Sequence, residues 1–285
     1  MSFRILSNAK INLRLRILRR RPDGFHELET WMLPVDLSDE IEFSAGRGLQ
    51  LSCDLPDLPL DERNLAMKAA VLLRDRTGVK KGAKIRLFKK IPLGAGLGGG
   101  SSNGTYVLRG LNRLWKLELS DDRLEEMAAE LGSDTAFFVR NKPAIATGRG
   151  EKLRPLALSE PLPLVLFKFD FGSATGWAYQ HCGKREAGSG QRETADVPPS
   201  LSAQNASSFL VNDLEPPVFR KFPILGLAKE FAAGRRGVRG VMMSGSGSTL
   251  FALTESDAAS VSLADALHSR FPGIWTHVGR ALPGC

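Results

Sequence analysis

The sequence has few cysteines and no long apolar run. Its 285 residues include three cysteines, Cys53, Cys182 and Cys285, and no C-x-x-C pair. This excludes a disulfide framework and a cysteine-based zinc site, so we expect free, reduced thiols. No segment approaches the roughly 18 apolar residues of a membrane-spanning helix, and residues 1–12 lack the features of a signal peptide. We therefore expect a soluble, cytoplasmic protein with no membrane partner.

Histidines and aromatic residues are also scarce. The four histidines, at positions 26, 181, 268 and 277, do not have metal-ligand spacing, and we expect no metal held by the protein alone. The net charge is +8, but aromatic residues make up only 7% and the one dense basic run is Arg19–Arg21. A nucleic-acid binder concentrates basic residues among exposed aromatics. A positive field equally attracts small anions such as nucleotides, and we favour these over nucleic acid.

The hydrophobic pattern predicts an α+β protein. Apolar and polar residues alternate over residues 9–18, as in a half-buried strand, so Lys10 and Asn12 project from one face opposite the core. Strands and helices then alternate without a run of parallel βαβ units, which favours two subdomains joined near residue 155. Residues 183–205 are polar and rich in Gly, Ser and Pro, and we expect a mobile loop there. The other predicted elements are strands at 25–35, 41–43, 85–88 and 162–167, helices at 64–76 and 120–131, a helix through 107–115, and a glycine-serine turn before a strand within 238–253.

The segment PLGAGLGGGSSN, residues 92–103, is the most informative part of the chain. Five of the seven positions from 94 to 100 are glycine, which leaves backbone N–H groups unshielded, and the segment leads directly into a helix. A helix N-terminus adds partial positive charge, so this arrangement binds phosphate. The hydroxyls of Ser101 and Ser102 are suited to helix capping, to phosphate oxygens or to Mg²⁺.

Three common phosphate-binding motifs do not fit this segment. The spacing Gly94-x-Gly96-x-x-Gly99 matches a dinucleotide fingerprint, but Pro92 interrupts the approach and no acidic residue closes a second strand about 20 residues later. No Gly-Lys-Ser/Thr follows, which excludes a Walker loop. The set of protein-kinase motifs is incomplete as well, because the sequence contains no Val-Ala-Ile-Lys and no His-Arg-Asp.

The glycine segment closely resembles the phosphate loop of the GHMP kinases, a superfamily that includes galactokinase, homoserine kinase and mevalonate kinase. The strand AKINL (9–13) and the segment MSGSGSTLF (243–251) resemble its other two motifs, in the same order. The resemblance implies an ATP-binding domain at residues 1–155, a C-terminal domain at residues 156–285, and an active site in the cleft between them.

Further segments are similar to the GHMP kinases whose acceptor is a cytidyl diphosphate sugar alcohol of the non-mevalonate isoprenoid pathway. They are RPDGFHEL (21–28), LGSD (131–134), ATGRGE (146–151) and NDLE (212–215). The resemblance implies transfer of the γ-phosphoryl group of ATP to the 2-hydroxyl of that acceptor, with Mg²⁺ arriving with ATP, by a monomer or weak homodimer. Another GHMP kinase of homoserine or mevalonate type, and a non-catalytic nucleotide- or RNA-binding protein on the same fold, remain alternatives.

The same resemblance assigns individual roles. Asp134 accepts the proton of the attacking hydroxyl, and Lys10 orients that hydroxyl and lowers its pKa. The implied ATP site consists of Pro92, Gly94, Ala95, Gly96, Leu97, Gly98, Gly99, Gly100, Ser101, Ser102 and Asn64. The implied acceptor site consists of Asn12, Phe25, His26, Thr175 and Tyr179, with His26 reading the cytosine edge and Phe25 stacking on its ring.

The sequence departs from the family pattern at three of these positions. Phe25 stands where Tyr is common, Ala136 where Pro is usual, and Arg63 where Asp precedes the adenine-site Asn. Loss of the proline puts the positioning of Asp134 in doubt. Asn64 is equally consistent with a plain helix N-cap.

Overall fold

The computed structural model describes residues 2–182 and 196–284. Within these ranges the strands are β1 (Ser2–Arg20), β2 (His26–Gly46), β3 (Leu49–Cys53), β4 (Gly82–Phe88), β5 (Ala144–Gly148), β6 (Lys152–Pro155), β7 (Leu162–Lys168), β8 (Val211–Asn212), β9 (Val238–Met243), β10 (Leu250–Thr254) and β11 (Trp275–Ala281). The helices are α1 (Leu65–Thr77), α2 (Gly99–Trp115), α3 (Asp121–Leu131), α4 (Phe137–Arg140), α5 (Thr175–His181), α6 (Glu215–Lys221), α7 (Pro223–Ala233) and α8 (Asp257–Arg270), with a 3₁₀ turn at Ala206–Phe209. None of the described helices combines the length and apolar character needed to cross a membrane.

The first of two compact units comprises Met1–Ala9, Leu37–Leu93 and Gly98–Asn141. In this unit β4 pairs antiparallel with the second half of β2 and parallel with β3. Helices α1, α2 and α3 pack against one another, and their large buried side chains include Leu73, Leu111 and Trp115. Two of these helices have side-chain N-caps: Asn64 Oδ1 accepts from Ala66 N at the start of α1, and Ser120 Oγ accepts from Arg123 N at the start of α3.

The second unit comprises Lys10–Asp36, Gly94–Leu97 and Lys142–Cys285. Its strands follow the order β2, β11, β7, β10 and β9, with β7, β9, β10 and β11 pairing antiparallel to their neighbours. Side chains of β7, β9 and β10 form one apolar core with helices α6, α7 and α8, including Phe167, Leu250 and Leu267. On the other side of β2, strand β5 pairs antiparallel with residues 28–32.

The chain passes between these units several times. Strands β1 and β2 are long, and each contributes residues to both units. The division by contacts therefore differs from the single boundary expected near residue 155. That boundary stays a prediction for the division into family domains.

Most predicted elements are confirmed, but one prediction needs correction. The strands expected at 25–35 and 41–43 are not separate: residues 26–35 and 41–43 both lie in β2. The strand continues through Asp39, which is fully buried and accepts a hydrogen bond from Lys90 N at 2.7 Å. Of the mobile loop expected at 183–205, residues 183–195 lie outside the part of the chain that the structure describes. Within residues 196–205, Leu201 is fully buried and its N–H donates to Ala157 O at 2.8 Å, so an apolar side chain anchors the chain at this position.

Candidate active site

Lys10 and Asn12 lie next to each other on β1, as the strand pattern predicts. Both are buried, with 3% exposure each, and Lys10 Nζ donates to Asn12 Oδ1 at 2.5 Å. The same ammonium donates to Gly96 O at 3.1 Å, and Lys10 N donates to Leu97 O at 3.0 Å. The Asn12 amide in turn donates to Thr30 Oγ1 at 2.8 Å. The first sequence motif therefore contacts the glycine segment directly, through both its backbone and its charged side chain.

The third glycine motif supports the same segment. Ser244 Oγ donates to Gly96 O at 3.0 Å and accepts from Asn12 N at 3.2 Å. Thr249 N donates to Ala95 O at 3.2 Å. In a trans peptide the C=O of one residue and the N–H of the next point in opposite directions. The amides of residues 96 and 97 are therefore directed away from these supporting groups.

Gly96 is required by both its conformation and its surroundings. Its φ is +75°, in the left-handed region, and an added Cβ would lie 2.1 Å from Ser244 O. Gly94 also has a positive φ, of +59°, but no atom lies within 4 Å of the position of its Cβ. The two glycines therefore serve different physical purposes in one loop.

The start of α2, in the first unit, has no side-chain cap. Its first N–H groups lack acceptors within the helix, and such groups bind anions. Ser101, in the first turn, is half-buried. Ser102 is fully buried, and its hydroxyl is 2.7 Å from Ser7 Oγ. Of the three roles open to these serines, helix capping does not occur here, and their roles at phosphate or Mg²⁺ stay predictions.

Asp134 follows α3 in a tight turn that is fixed by the next residue. Thr135 is fully buried; its hydroxyl donates to Gly132 O at 2.6 Å, and its carbonyl accepts from Thr105 Oγ1 at 2.7 Å. Ala136, where the family pattern leads us to expect proline, has a φ of −58°. Proline fixes φ close to this value, so the alanine keeps the same conformation at its own position.

Two of the predicted acceptor residues stack on each other in the second unit. The rings of His26 and Tyr179 are 5.6 Å apart at an interplanar angle of 30°. Burial, together with the positive charge of Arg20, lowers the pKa of His26 below its usual 6.5. The imidazole is therefore neutral at pH 7, with one nitrogen able to donate and the other able to accept.

Phe25 and Thr175 occupy different settings. Phe25 is 52% exposed, and the guanidinium of Arg149 lies 5.1 Å from its ring centroid. Thr175 begins α5, and its hydroxyl is 2.9 Å from Ser246 Oγ in the third motif. Residue-type reasoning assigned no role to Arg149 or Ser246, although both lie within segments that carry the resemblance.

Asn64 uses its amide group to begin α1. Its Oδ1 accepts from Ala66 N at 3.0 Å, and its Nδ2 donates to Pro59 O at 2.9 Å. These contacts are those of a helix N-cap, and the role at the adenine stays a prediction. A shallow groove of about 540 Å³ lies beside it, lined by Asp61, Glu62, Arg63, Met67 and Val71.

No group of three or more His, Cys, Asp or Glu side chains within residues 2–182 and 196–284 is arranged to hold a metal ion. The site instead contains the backbone N–H groups of the glycine segment and the ammonium of Lys10. Such groups bind anions rather than cations.

Comparison with known proteins identifies the class. Residues 64–142 match the GHMP kinases N terminal domain, and residues 199–273 match the GHMP kinases C terminal domain. The structure is similar to that of homoserine kinase from Cytophaga hutchinsonii ATCC 33406, with a TM-score of 0.76 and 20% identity over 99% of this chain and 96% of that chain. The fold and the matched domains define an α+β GHMP kinase, which confirms the superfamily prediction.

The sequence narrows this class further. The 4-diphosphocytidyl-2-C-methyl-D-erythritol kinase of Shouchella clausii (strain KSM-K16) is 41% identical over 263 residues, covering 90% of this chain and 88% of the relative. The kinase of the same name from Prosthecochloris aestuarii (strain DSM 271 / SK 413) is 39% identical over 289 residues and covers 99% of both chains. A solved 4-(cytidine 5'-diphospho)-2C-methyl-D-erythritol kinase has a TM-score of 0.78 and 34% identity over 98% of this chain and 100% of that chain. The chain belongs to the 4-diphosphocytidyl-2-C-methyl-D-erythritol kinase family.

Alanine substitutions at Gly96 and Gly94 test the support of the glycine segment. Gly96→Ala would clash with Ser244 O, and we expect ATP affinity to fall by at least about ten-fold together with the thermal unfolding temperature. Gly94→Ala is the matched control, because its only cost is the left-handed backbone, about 1–2 kcal/mol. Calorimetric titration with ATP and thermal unfolding measure both effects. Equal losses in the two variants would contradict the role given to the contact with Ser244.

Proposed function

We propose that the protein transfers the γ-phosphoryl group of ATP to the 2-hydroxyl of 4-diphosphocytidyl-2-C-methyl-D-erythritol. The observation that carries the proposal is the position of the Lys10 ammonium, which contacts both Gly96 O of the glycine segment and Asn12 Oδ1. One cation thereby joins the phosphate-binding segment to the residue expected to face the acceptor. The full-length similarity to kinases of that name supports the choice of acceptor.

Phosphoryl transfer requires the protein mainly to position two anions and to remove one proton. In the proposed mechanism Asp134 is the general base for the acceptor hydroxyl. Lys10 orients this hydroxyl and stabilises its developing negative charge. The fixed turn at Thr135 supports the assignment of Asp134, because a general base must be held within hydrogen-bond reach of its proton.

The proposed ATP site uses the backbone of residues 92–100 and the uncapped start of α2. Their N–H groups receive the phosphates, as helix N-termini do in other nucleotide-binding proteins. Mg²⁺ enters with ATP, since it is usually bound through substrate phosphates and few protein ligands. Of the two serines, Ser101 would supply the hydroxyl for this ion, because Ser102 is fully buried and its hydroxyl is 2.7 Å from Ser7 Oγ.

The proposed cytidine site consists of Phe25, His26, Thr175 and Tyr179. The neutral imidazole of His26 can both donate to and accept from the Watson–Crick edge of cytosine. The exposed ring of Phe25 offers a stacking face, and the nearby guanidinium of Arg149 adds positive charge for an anionic substrate. These features favour a nucleotide acceptor over a small amino or carboxylic acid.

The proposal includes a cytoplasmic enzyme whose partners are ATP and this acceptor. Its two family domains divide near residue 155, between the matched regions 64–142 and 199–273.

A coupled ADP-release assay tests the function. Purified protein is supplied with Mg-ATP and, in parallel, with 4-diphosphocytidyl-methylerythritol, homoserine or mevalonate. We expect turnover with the cytidyl acceptor alone, because only that acceptor engages His26 and Phe25. Turnover with homoserine or mevalonate instead would retain the kinase class and reject the acceptor. No ADP release with any acceptor, combined with salt-dependent affinity for RNA, would favour a non-catalytic binding protein.

Substitution of Asp134 tests the general base. Asp134→Ala should lower kcat by roughly 10²–10⁴-fold, the usual contribution of a general base, while the Kd for ATP changes little because backbone amides bind the phosphates. The matched control is Asp122→Ala in the same unit, a surface carboxylate whose side chain is 83% exposed; it should keep wild-type kcat. Near-normal turnover by Asp134→Ala would remove this residue from the mechanism.

The pH dependence of acceptor binding tests His26. Its pKa is lowered by burial and by Arg20, so the neutral form persists at pH 7 and is lost only as pH falls through that lowered pKa. The KM for the acceptor should therefore be constant above about pH 6.5 and rise at lower pH. The KM for ATP should not show this rise, because His26 does not contact ATP in the proposed site.

The non-titrating variant His26→Asn provides the control for this dependence. It should raise the acceptor KM by about ten-fold, the effect of losing one good hydrogen bond, and remove the rise at low pH that is specific to the acceptor. An unchanged pH profile in this variant would assign the titration to another group.

A further inference from the structure

A fully buried carboxylate lies next to both ends of the glycine loop. Asp39, on β2, is 0% exposed. Its Oδ1 accepts from Lys90 N at 2.7 Å and from Ile91 N at 2.8 Å. Its Oδ2 accepts from Asn103 Nδ2 at 2.9 Å and forms an ion pair with the ammonium of Lys89. All of these residues belong to the first unit.

The four donors come from two segments that flank the glycine loop. Lys89, Lys90 and Ile91 follow β4 and lead into the loop, whereas Asn103 is in α2, which leaves it. Lys89 Nζ also donates to Asn103 Oδ1 at 2.8 Å, so the two segments are joined directly as well as through Asp39.

The network continues from Asn103 to β1. Asn103 Nδ2 donates to Ser7 Oγ at 3.0 Å, and Ser7 Oγ is 2.7 Å from Ser102 Oγ. An ideal Cβ at Gly99 would lie 3.6 Å from Lys89 Nζ, so the ammonium also reaches the first residue of α2. The start of this helix is thereby fixed by hydrogen bonds with defined directions.

Apolar residues could fill this space at lower electrostatic cost. Removing a carboxylate and an ammonium from water is expensive, and a buried ion pair is weak evidence for stability by itself. What the pair adds is geometry: hydrogen bonds constrain distance and direction, whereas apolar packing is non-directional. Loop amides that bind phosphate need such fixed directions, because preorganised dipoles need no reorganisation when charge arrives.

We propose that Asp39 is a positioning residue for ATP, which fixes the two ends of the glycine loop without touching the nucleotide. This inference rests on the proposed function only in taking ATP as the ligand of the loop. The network is charge-balanced, so its effect on ATP is exerted through the loop geometry.

The test compares Asp39→Asn with two other variants. Asparagine keeps the shape, but its amide group would face the Lys89 ammonium and the Asn103 amide, and both of these are donors. Leu73→Ala, in the buried face of α1, controls for general destabilisation of the same unit. The exchange variant Asp39→Asn/Asn103→Asp moves the carboxylate to the other side of Lys89 and lets the new asparagine amide donate to it.

Three quantities are measured for each variant: the Kd for ATP, the KM values for ATP and for the acceptor, and the thermal unfolding temperature. For Asp39→Asn we expect the Kd and KM for ATP to rise about ten-fold, with the acceptor KM changed less than about two-fold. Leu73→Ala should lower the unfolding temperature without separating the two KM values. The exchange variant should recover most of the ATP affinity.

Three outcomes would overturn the proposal: equal increases in both KM values, an ATP effect in Leu73→Ala as large as in Asp39→Asn, or an exchange variant that folds but binds ATP weakly. If Asp39→Asn does not fold, the exchange variant alone decides. If the wild-type protein binds ATP but does not phosphorylate the cytidyl acceptor, the proposed function fails. The Kd measurements still decide the role of Asp39.

Discussion

The carbonyl of Gly96 accepts hydrogen bonds from two side chains, Lys10 Nζ at 3.1 Å and Ser244 Oγ at 3.0 Å. These donors are more than 230 residues apart in sequence, yet Ser244 also accepts from the backbone of Asn12. The first and third motifs are therefore one structure that holds the second motif in its orientation. Because the Lys10 ammonium also contacts Asn12 Oδ1, any displacement of the glycine segment would move the cation proposed to orient the acceptor. In the proposed mechanism, nucleotide binding and acceptor orientation are therefore coupled through Lys10.

The sequence pattern predicts those features that depend on interactions between residues close together in the chain. The alternation in β1 correctly predicts Lys10 and Asn12 on one face, and the helices expected at 64–76 and 120–131 are present as α1 and α3. The continuity of β2 was missed because residues 36–40 are mostly polar, which is the usual composition of a turn. Asp39 stays within a strand because its carboxylate finds donors about 50 and 64 residues away. No periodicity in the sequence contains that information.

The same limit applies inside the glycine loop. From composition alone, the glycines of the loop are equivalent to one another, and so are its serines. In the structure their surroundings differ. Gly96 is needed because Ser244 O lies against it, whereas Ser102 is turned into the interior towards Ser7. Each distinction arises from a partner more than 90 positions away in the chain. A motif therefore identifies the loop, while tertiary contacts decide which of its residues bind a ligand and which hold the loop in place.

The positive charge of the basic run Arg19–Arg21 acts both at long range, on anions in solution, and at short range, on His26. Positive charge attracts anionic substrates over distances up to the Debye length, about 8 Å at physiological ionic strength, and salt weakens this attraction. At short range, the charge of Arg20 adds to burial in lowering the pKa of His26. A cationic His26 would donate from both nitrogens and could not accept from the cytosine amino group. In the proposed cytidine site, the positive charge that attracts a nucleoside diphosphate therefore also keeps His26 in the neutral form that can recognise the base. Salt should weaken the first effect more than the second, because the half-buried imidazole is less screened than the exposed charges.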